Sequence, residues 1–142
     1  MEKYISHSAE ETMAIAEKFA EQLKSGDTVL YTGEMGAGKT HFTKGIAKHF
    51  GVDEEVTSPT FALVNEYIGK PSVFHFDLFR INSYDDLYAI GFFDYLDRDG
   101  ILAVEWSENI DGLADNLESV FFVDIKKLDE NSREITISRK EN

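Results

Sequence analysis

The most legible chemistry in the chain is a run of glycines closed by an ammonium and a hydroxyl, Gly33-Glu34-Met35-Gly36-Ala37-Gly38-Lys39-Thr40. Its spacing is that of a Walker A phosphate loop, Gly-x-x-x-x-Gly-Lys-Thr. Glycine at 33, 36 and 38 admits backbone angles that a side chain would block. The N–H groups of Glu34, Met35, Gly36, Ala37 and Gly38 can then turn inward on phosphate oxygens. A helix starting near Gly38 adds its positive end. Lys39 reaches the outer phosphates of a nucleoside triphosphate, and the Thr40 hydroxyl suits Mg²⁺, a cation that prefers oxygen ligands.

A phosphate loop of this kind needs an acid at the tip of a neighbouring strand. Two segments offer one: Val73-Phe74-His75-Phe76-Asp77 and Ile101-Leu102-Ala103-Val104-Glu105. Either carboxylate could ligate Mg²⁺, act through a metal-bound water, orient the attacking water, or cap a turn, and spacing does not choose between them. Thr57-Ser58-Pro59-Thr60 lies between the two regions, where a threonine, Thr60 for instance, can sense a γ-phosphate or the metal; as bare sequence it is a polar turn. Trp106 could stack on a base, anchor a partner or pack on the core. Arg80 could supply charge to a transition state or make a surface salt bridge. His75, inside an apolar strand, reads as a core or surface histidine with its hydrogen bonds met. The histidines are scattered and form no metal-binding pattern.

The elements that must hold these residues follow from periodicity. Lys3 to Ser6 reads as a short strand. Ser8-Ala9-Glu10-Glu11 is a capping box with Ser8 as cap and Glu11 reaching back. The helix behind it puts Met13, Ala16, Phe19, Ala20 and Leu23 on one face, and Ser25-Gly26-Asp27 ends it. Thr28 to Thr32 is a buried strand leading into the glycine loop. Lys39 to Phe50 is a helix with Phe42, Ile46 and Phe50 four apart, stopped by Gly51. Phe61–Ile68 and Ser72–Phe76 read as a hairpin around Gly69-Lys70-Pro71. Tyr84–Tyr95 reads as one helix. Ile101–Val104, Val120–Ile125 and Glu134–Ser138 are strands, the last with Ile135 and Ile137 alternating as on a half-exposed edge strand. The fold class is α/β: a P-loop NTPase three-layer sandwich with a mixed central β-sheet, expected as one domain over residues 1–142.

Bulk properties narrow the function. The chain has 142 residues, 27 Asp+Glu against 14 Lys+Arg, and a net charge of −13. Nucleic-acid binding draws on basic groups that displace counterions, so an acidic chain with no basic run is a poor candidate for gripping RNA alone. No apolar stretch reaches the roughly 20 residues a membrane span needs. The start, Met1-Glu2-Lys3-Tyr4, lacks a secretory pattern. The absence of cysteine excludes disulfides and fits a reducing cytoplasm. A small-molecule kinase is disfavoured because no basic lid is visible. A GTPase-like switch is disfavoured because no Asn-Lys-x-Asp segment appears.

Four ordered segments carry a resemblance: the glycine loop, Thr57-Ser58-Pro59-Thr60-Phe61, His75-Phe76-Asp77-Leu78-Phe79-Arg80, and Val104-Glu105-Trp106-Ser107-Glu108. Together with Ser8-Ala9-Glu10-Glu11-Thr12 they make the chain resemble the bacterial TsaE (YjeE) family. The resemblance implies a weak ATPase using ATP and Mg²⁺, stimulated by TsaD and TsaB, in threonylcarbamoyl modification of the tRNA adenosine beside the anticodon. It implies that Lys39 and Thr40 hold phosphate and Mg²⁺, that Glu105 contributes to the metal site, and that Asp77 is the Walker B aspartate. It puts Trp106 near the nucleotide, with Thr12 and Arg133 near the base. Contact with tRNA would pass through the partners, consistent with the acidic surface.

Overall fold

The computed structural model describes residues 1–34, 37–57, 59 and 63–141. Seven strands form one sheet in the order β1-β7-β6-β2-β5-β4-β3. They are β1 (Glu2–Ser6), β2 (Thr28–Thr32), β3 (Val64–Tyr67), β4 (Ser72–Asp77), β5 (Gly100–Glu105), β6 (Val120–Lys127) and β7 (Arg133–Arg139). The inner strands β6, β2, β5 and β4 run parallel. Antiparallel pairs close the flanks, β7 on β6, β1 on β7 and β3 on β4. The sheet is therefore mixed, as the alternation of hairpins and crossovers predicts.

Helices cover both faces. Helix α1 (Ala9–Phe19) and α2 (Lys39–His49) pack Ala16, Phe19, Phe42 and Ile46 against Val29, Tyr31, Val73 and Ile101. On the other face α3 (Tyr84–Ala89) and α4 (Phe92–Tyr95) bury Leu87 and Phe92 against Leu30, Phe74, Phe76 and Leu102. Burying each of the Val, Leu, Ile and Phe side chains among these stabilises by about 1.5–3 kcal/mol. Where α1 and α2 meet, residue 45 is glycine, and a Cβ there would fall on the Met13 carbonyl and the Ala16 methyl.

Ser8 caps α1, its hydroxyl accepting from the Glu11 amide at 3.1 Å. The Glu11 carboxylate reaches one residue further than a capping box requires, to the amide of His7 at 2.9 Å. Of the expected face, Ala16, Phe19, Ala20 and Leu23 are buried and Met13 is half-buried. No helix among the described residues is long and apolar enough to cross a membrane.

Three sequence expectations are corrected. The segment Tyr84–Tyr95 is two helices, because Gly91 sits at φ 76° and closes the first in the left-handed conformation that glycine takes without a Cβ penalty. Strand β7 is interior rather than an edge; alternation of Ile135 and Ile137 reports one buried face, while β1 covers the strand's free side. Strand β3 starts at Val64 rather than Phe61, because Leu63 at φ 68° is out of strand geometry; Phe61 and Ala62 lie outside the described residues.

Candidate functional site

Strand parity decides which side chains can meet. Residues paired in a parallel ladder point to the same side. Asp77 pairs with Glu105 and His75 with Ala103. In alternation with them, Val73 and Ile101 belong to the core under α1 and α2. The two strand-tip acids therefore share the sheet face from which α2 rises, at the carboxyl ends of the parallel strands, where open α/β sheets bind ligands.

The loop between β2 and α2 opens toward the same place. Gly33, at φ 131°, lies so close to β6 that a Cβ would collide with the Ile125 carbonyl. The α2 helix begins at Lys39 with Gly38 before it. A buried chain of hydrogen bonds ties its first turn to the sheet: the Thr43 hydroxyl donates to the Lys39 carbonyl at 3.0 Å and accepts from the Tyr31 phenol at 2.7 Å. Burial pushes the Tyr31 phenol far above its ordinary pKa, so it stays a donor.

A cavity of about 600 Å³ collects these pieces. Lys39, Thr40, Asp77, Glu105 and Trp106 line it together with Ser8, Ala9, Thr12, Glu130, Asn131 and Arg133. Lys39 is only 5% exposed, and its ammonium stands 4.6 Å from the centroid of the Trp106 ring. Trp106 itself lies at φ 64°, an outlier for a bulky residue, and its ring makes an edge contact with Phe79.

The acids are held unequally. One oxygen of Asp77 accepts from the Phe79 amide at 2.9 Å. Burial pushes the Asp77 carboxyl above the ordinary carboxylate range, and the adjacent Glu105 charge pushes it further. Glu105 Oε2 accepts from His75 Nε2 at 2.6 Å. His75 is fully buried, and its Nδ1 has no partner among the described residues. Leaving a buried polar atom unsatisfied costs about 1–3 kcal/mol. The sequence reading of His75 as a histidine with its bonds met is thus half right.

The donor set fits a hard divalent cation. Two carboxylates stand side by side, and the Thr40 hydroxyl makes no hydrogen bond among the described residues, so all three offer oxygen.

Other expected residues fare differently. Arg133 lines the cavity, but its Nε donates to the Ala37 carbonyl at 2.8 Å, so it braces the glycine loop. Thr12 lines the cavity with its hydroxyl 2.7 Å from that of Ser6, which donates onward to the Ser8 carbonyl. Glu34 is exposed, its carbonyl accepting from the Ala37 amide, and neither Glu34 nor Ala37 lines the cavity. Thr57 is pinned by its backbone to the Tyr67 hydroxyl, away from the lining. Met35, Gly36, Ser58 and Thr60 lie outside the described residues. Arg80 is exposed at the cavity and makes no ion pair among the described residues, so the surface salt bridge weighed for it is not there. Sequence reasoning passed over His41, Phe79, Glu130 and Asn131 as lining residues. Only the His75 link had a usable signal, since it shares strand parity with Asp77.

Known proteins share this architecture. A crystal structure of YdiB from Bacillus subtilis superposes with a TM-score of 0.80 at 31% identity, covering 99% of this chain and 86% of that one. The TsaE protein of Rickettsia prowazekii (strain Madrid E) is 41% identical over 136 residues, 94% of this chain and 92% of its own. That of Aquifex aeolicus (strain VF5) is 40% identical over 143 residues, 99% of this chain and 98% of its own. Residues 6–135 match the family model described as threonylcarbamoyl adenosine biosynthesis protein TsaE. With the family matched over nearly the whole chain and the fold shared with a solved relative, this mixed-sheet α/β sandwich belongs to the TsaE family.

Proposed function

We propose that the protein is an ATPase of tRNA threonylcarbamoyladenosine biosynthesis, which binds Mg-ATP, hydrolyses it slowly alone and works with TsaD and TsaB. The observation that carries this reading is the convergence of Lys39, Thr40, Asp77 and Glu105 on one cavity at the N-terminus of α2. The polyphosphate lies along the glycine loop, where backbone N–H groups, the helix end and the Lys39 ammonium balance its charge. Thr40, Asp77 and Glu105 would hold Mg²⁺, which when bound neutralises charge on the β- and γ-phosphate oxygens. Asp77 or Glu105 orients a water in line with the γ-phosphorus. The water oxygen bonds the γ-phosphorus as the bridging P–O bond breaks, and the water's proton goes to the phosphate formed, giving ADP and phosphate. Trp106 and the wall formed by Thr12 and Arg133 border the rest of the nucleotide.

The chain acts as one domain in the cytoplasm and leaves tRNA contact to its partners, as its net charge of −13 favours. The test is ATP hydrolysis by purified protein with and without TsaD and TsaB. Slow turnover alone, stimulation by the partners and loss of both in Lys39→Ala are expected. Unchanged hydrolysis in Lys39→Ala overturns the reading.

A further inference from the structure

His75 poses a packing problem that the proposed chemistry does not use. It stands mid-strand between Phe74 and Phe76, with no exposed surface, and one ring nitrogen has no partner among the described residues. The neighbour across the ladder on β3, Asn65, spends its amide on Thr57 and Tyr67 instead. An apolar ring would fill the position without the unmet nitrogen. The one polar contact the His75 ring makes among the described residues is to Glu105 Oε2, and Ala103, its ladder partner on β5, has only a methyl side chain.

We propose that His75 is a positioning residue that fixes the Glu105 carboxylate by binding Oε2, so that Oε1 alone is presented to the metal or its water. Among the described residues Oε1 makes no hydrogen bond, and Glu105 lines the cavity. A free glutamate side chain samples several rotamers, and ordering it on binding costs entropy. A hydrogen bond made beforehand removes that cost, as outer partners of metal-binding carboxylates do. The proposal rests on the Mg-ATP reading above.

The test measures ADP affinity by calorimetry over a range of magnesium concentrations and again in EDTA, in the full chain. His75→Phe removes the donor while filling the space. It is expected to raise the magnesium needed for half-maximal effect about 10- to 100-fold, with affinity in EDTA unchanged. His75→Gln places an amide N–H near the Nε2 position and restores the wild-type magnesium response. His75→Asn places it near Nδ1 and does not. A wild-type response in His75→Phe, or equal responses in the Gln and Asn variants, overturns the proposal while leaving the ATPase reading intact. Should His75→Phe fail to fold, the Gln and Asn pair decides. Wild-type protein whose ADP affinity ignores magnesium overturns the ATPase reading and the proposal with it.

Discussion

The Lys39 ammonium rests 4.6 Å from the centroid of the Trp106 ring, in a residue whose backbone is left-handed at φ 64°. A cation over an indole face contributes about 0.5–2 kcal/mol, whereas such a backbone costs about 1–3 kcal/mol. The two ranges overlap, so the contact is of the size needed to offset the strain. Phosphates offer Lys39 a stronger partner than an indole does. Because Trp106 is the chain's only tryptophan, its emission reports that exchange directly. Adding ADP or ATP should change Trp106 fluorescence. Lys39→Ala protein should start from an altered emission and respond weakly. Identical ligand-free spectra for the two proteins would show that the ammonium does not sense the ring.

Arg133 joins the β6–β7 hairpin to the glycine loop through the Ala37 carbonyl, while its Nη1 donates to the carbonyls of Asp129, Glu130 and Ser132. A hydrogen bond from a charged donor contributes about 1.5–3 kcal/mol. Arg133→Ala should therefore weaken ATP binding about ten- to a hundredfold by loosening the loop. Arg133→Lys should recover little, since an ammonium lacks the fork that spans both sites. Binding measured by calorimetry checks this, and wild-type affinity in the alanine variant refutes the brace.

The buried chain Tyr31–Thr43–Lys39 makes a prediction about coupling. Tyr31→Phe removes a donor and should cost about 0.5–1.5 kcal/mol of stability. Thr43→Val leaves the buried phenol without its acceptor and should cost about 1–3 kcal/mol. The double variant should fall short of the sum by about 1 kcal/mol, because no orphan remains. Urea unfolding of the four proteins tests this; strict additivity means the hydroxyls do not cooperate.

Asp77 supplies a pH signature. Its folded pKa is raised, first by burial and then by the Glu105 charge. Its contribution to stability is therefore fully present below the ordinary carboxylate pKa of about 4 and is lost as pH rises through the raised folded value. Asp77→Asn keeps an acceptor for the Phe79 amide and carries no charge. In thermal melts without metal or nucleotide, the variant should gain on wild type as pH climbs from acid toward neutrality. Magnesium at neutral pH should narrow the gap by giving the carboxylate a cation. A gap that is constant with pH contradicts the assignment.

Much of this site was legible because local rules agree. Glycines at 33, 36 and 38, an apolar run before them and the Phe42, Ile46, Phe50 spacing after them specify strand, loop and helix without long-range information. Asp77 and Glu105 were visible as acids at the ends of apolar runs. What escaped depends on register. His75 and Glu105 are 30 residues apart, and only the parallel pairing of β4 with β5 brings them into contact. Arg133 meets Ala37 across 96 positions because β7 pairs with β6 and β6 with β2, the strand before the loop. The break at Gly91 was local, yet the apolar residues on both sides continued a helical period and hid it.

Position 45 has a consequence beyond packing. Helix α1 and its cap bring Ser8, Ala9 and Thr12 to the cleft, and α2 brings Lys39 and Thr40. The two helices touch where residue 45 has only hydrogen for a side chain. That single atom works like the stop on a calliper, fixing how far apart the jaws stand and hence the length of molecule they can grip. A methyl group there would act as a wedge, and the change would be felt at the cleft, about one and a half turns from the substitution.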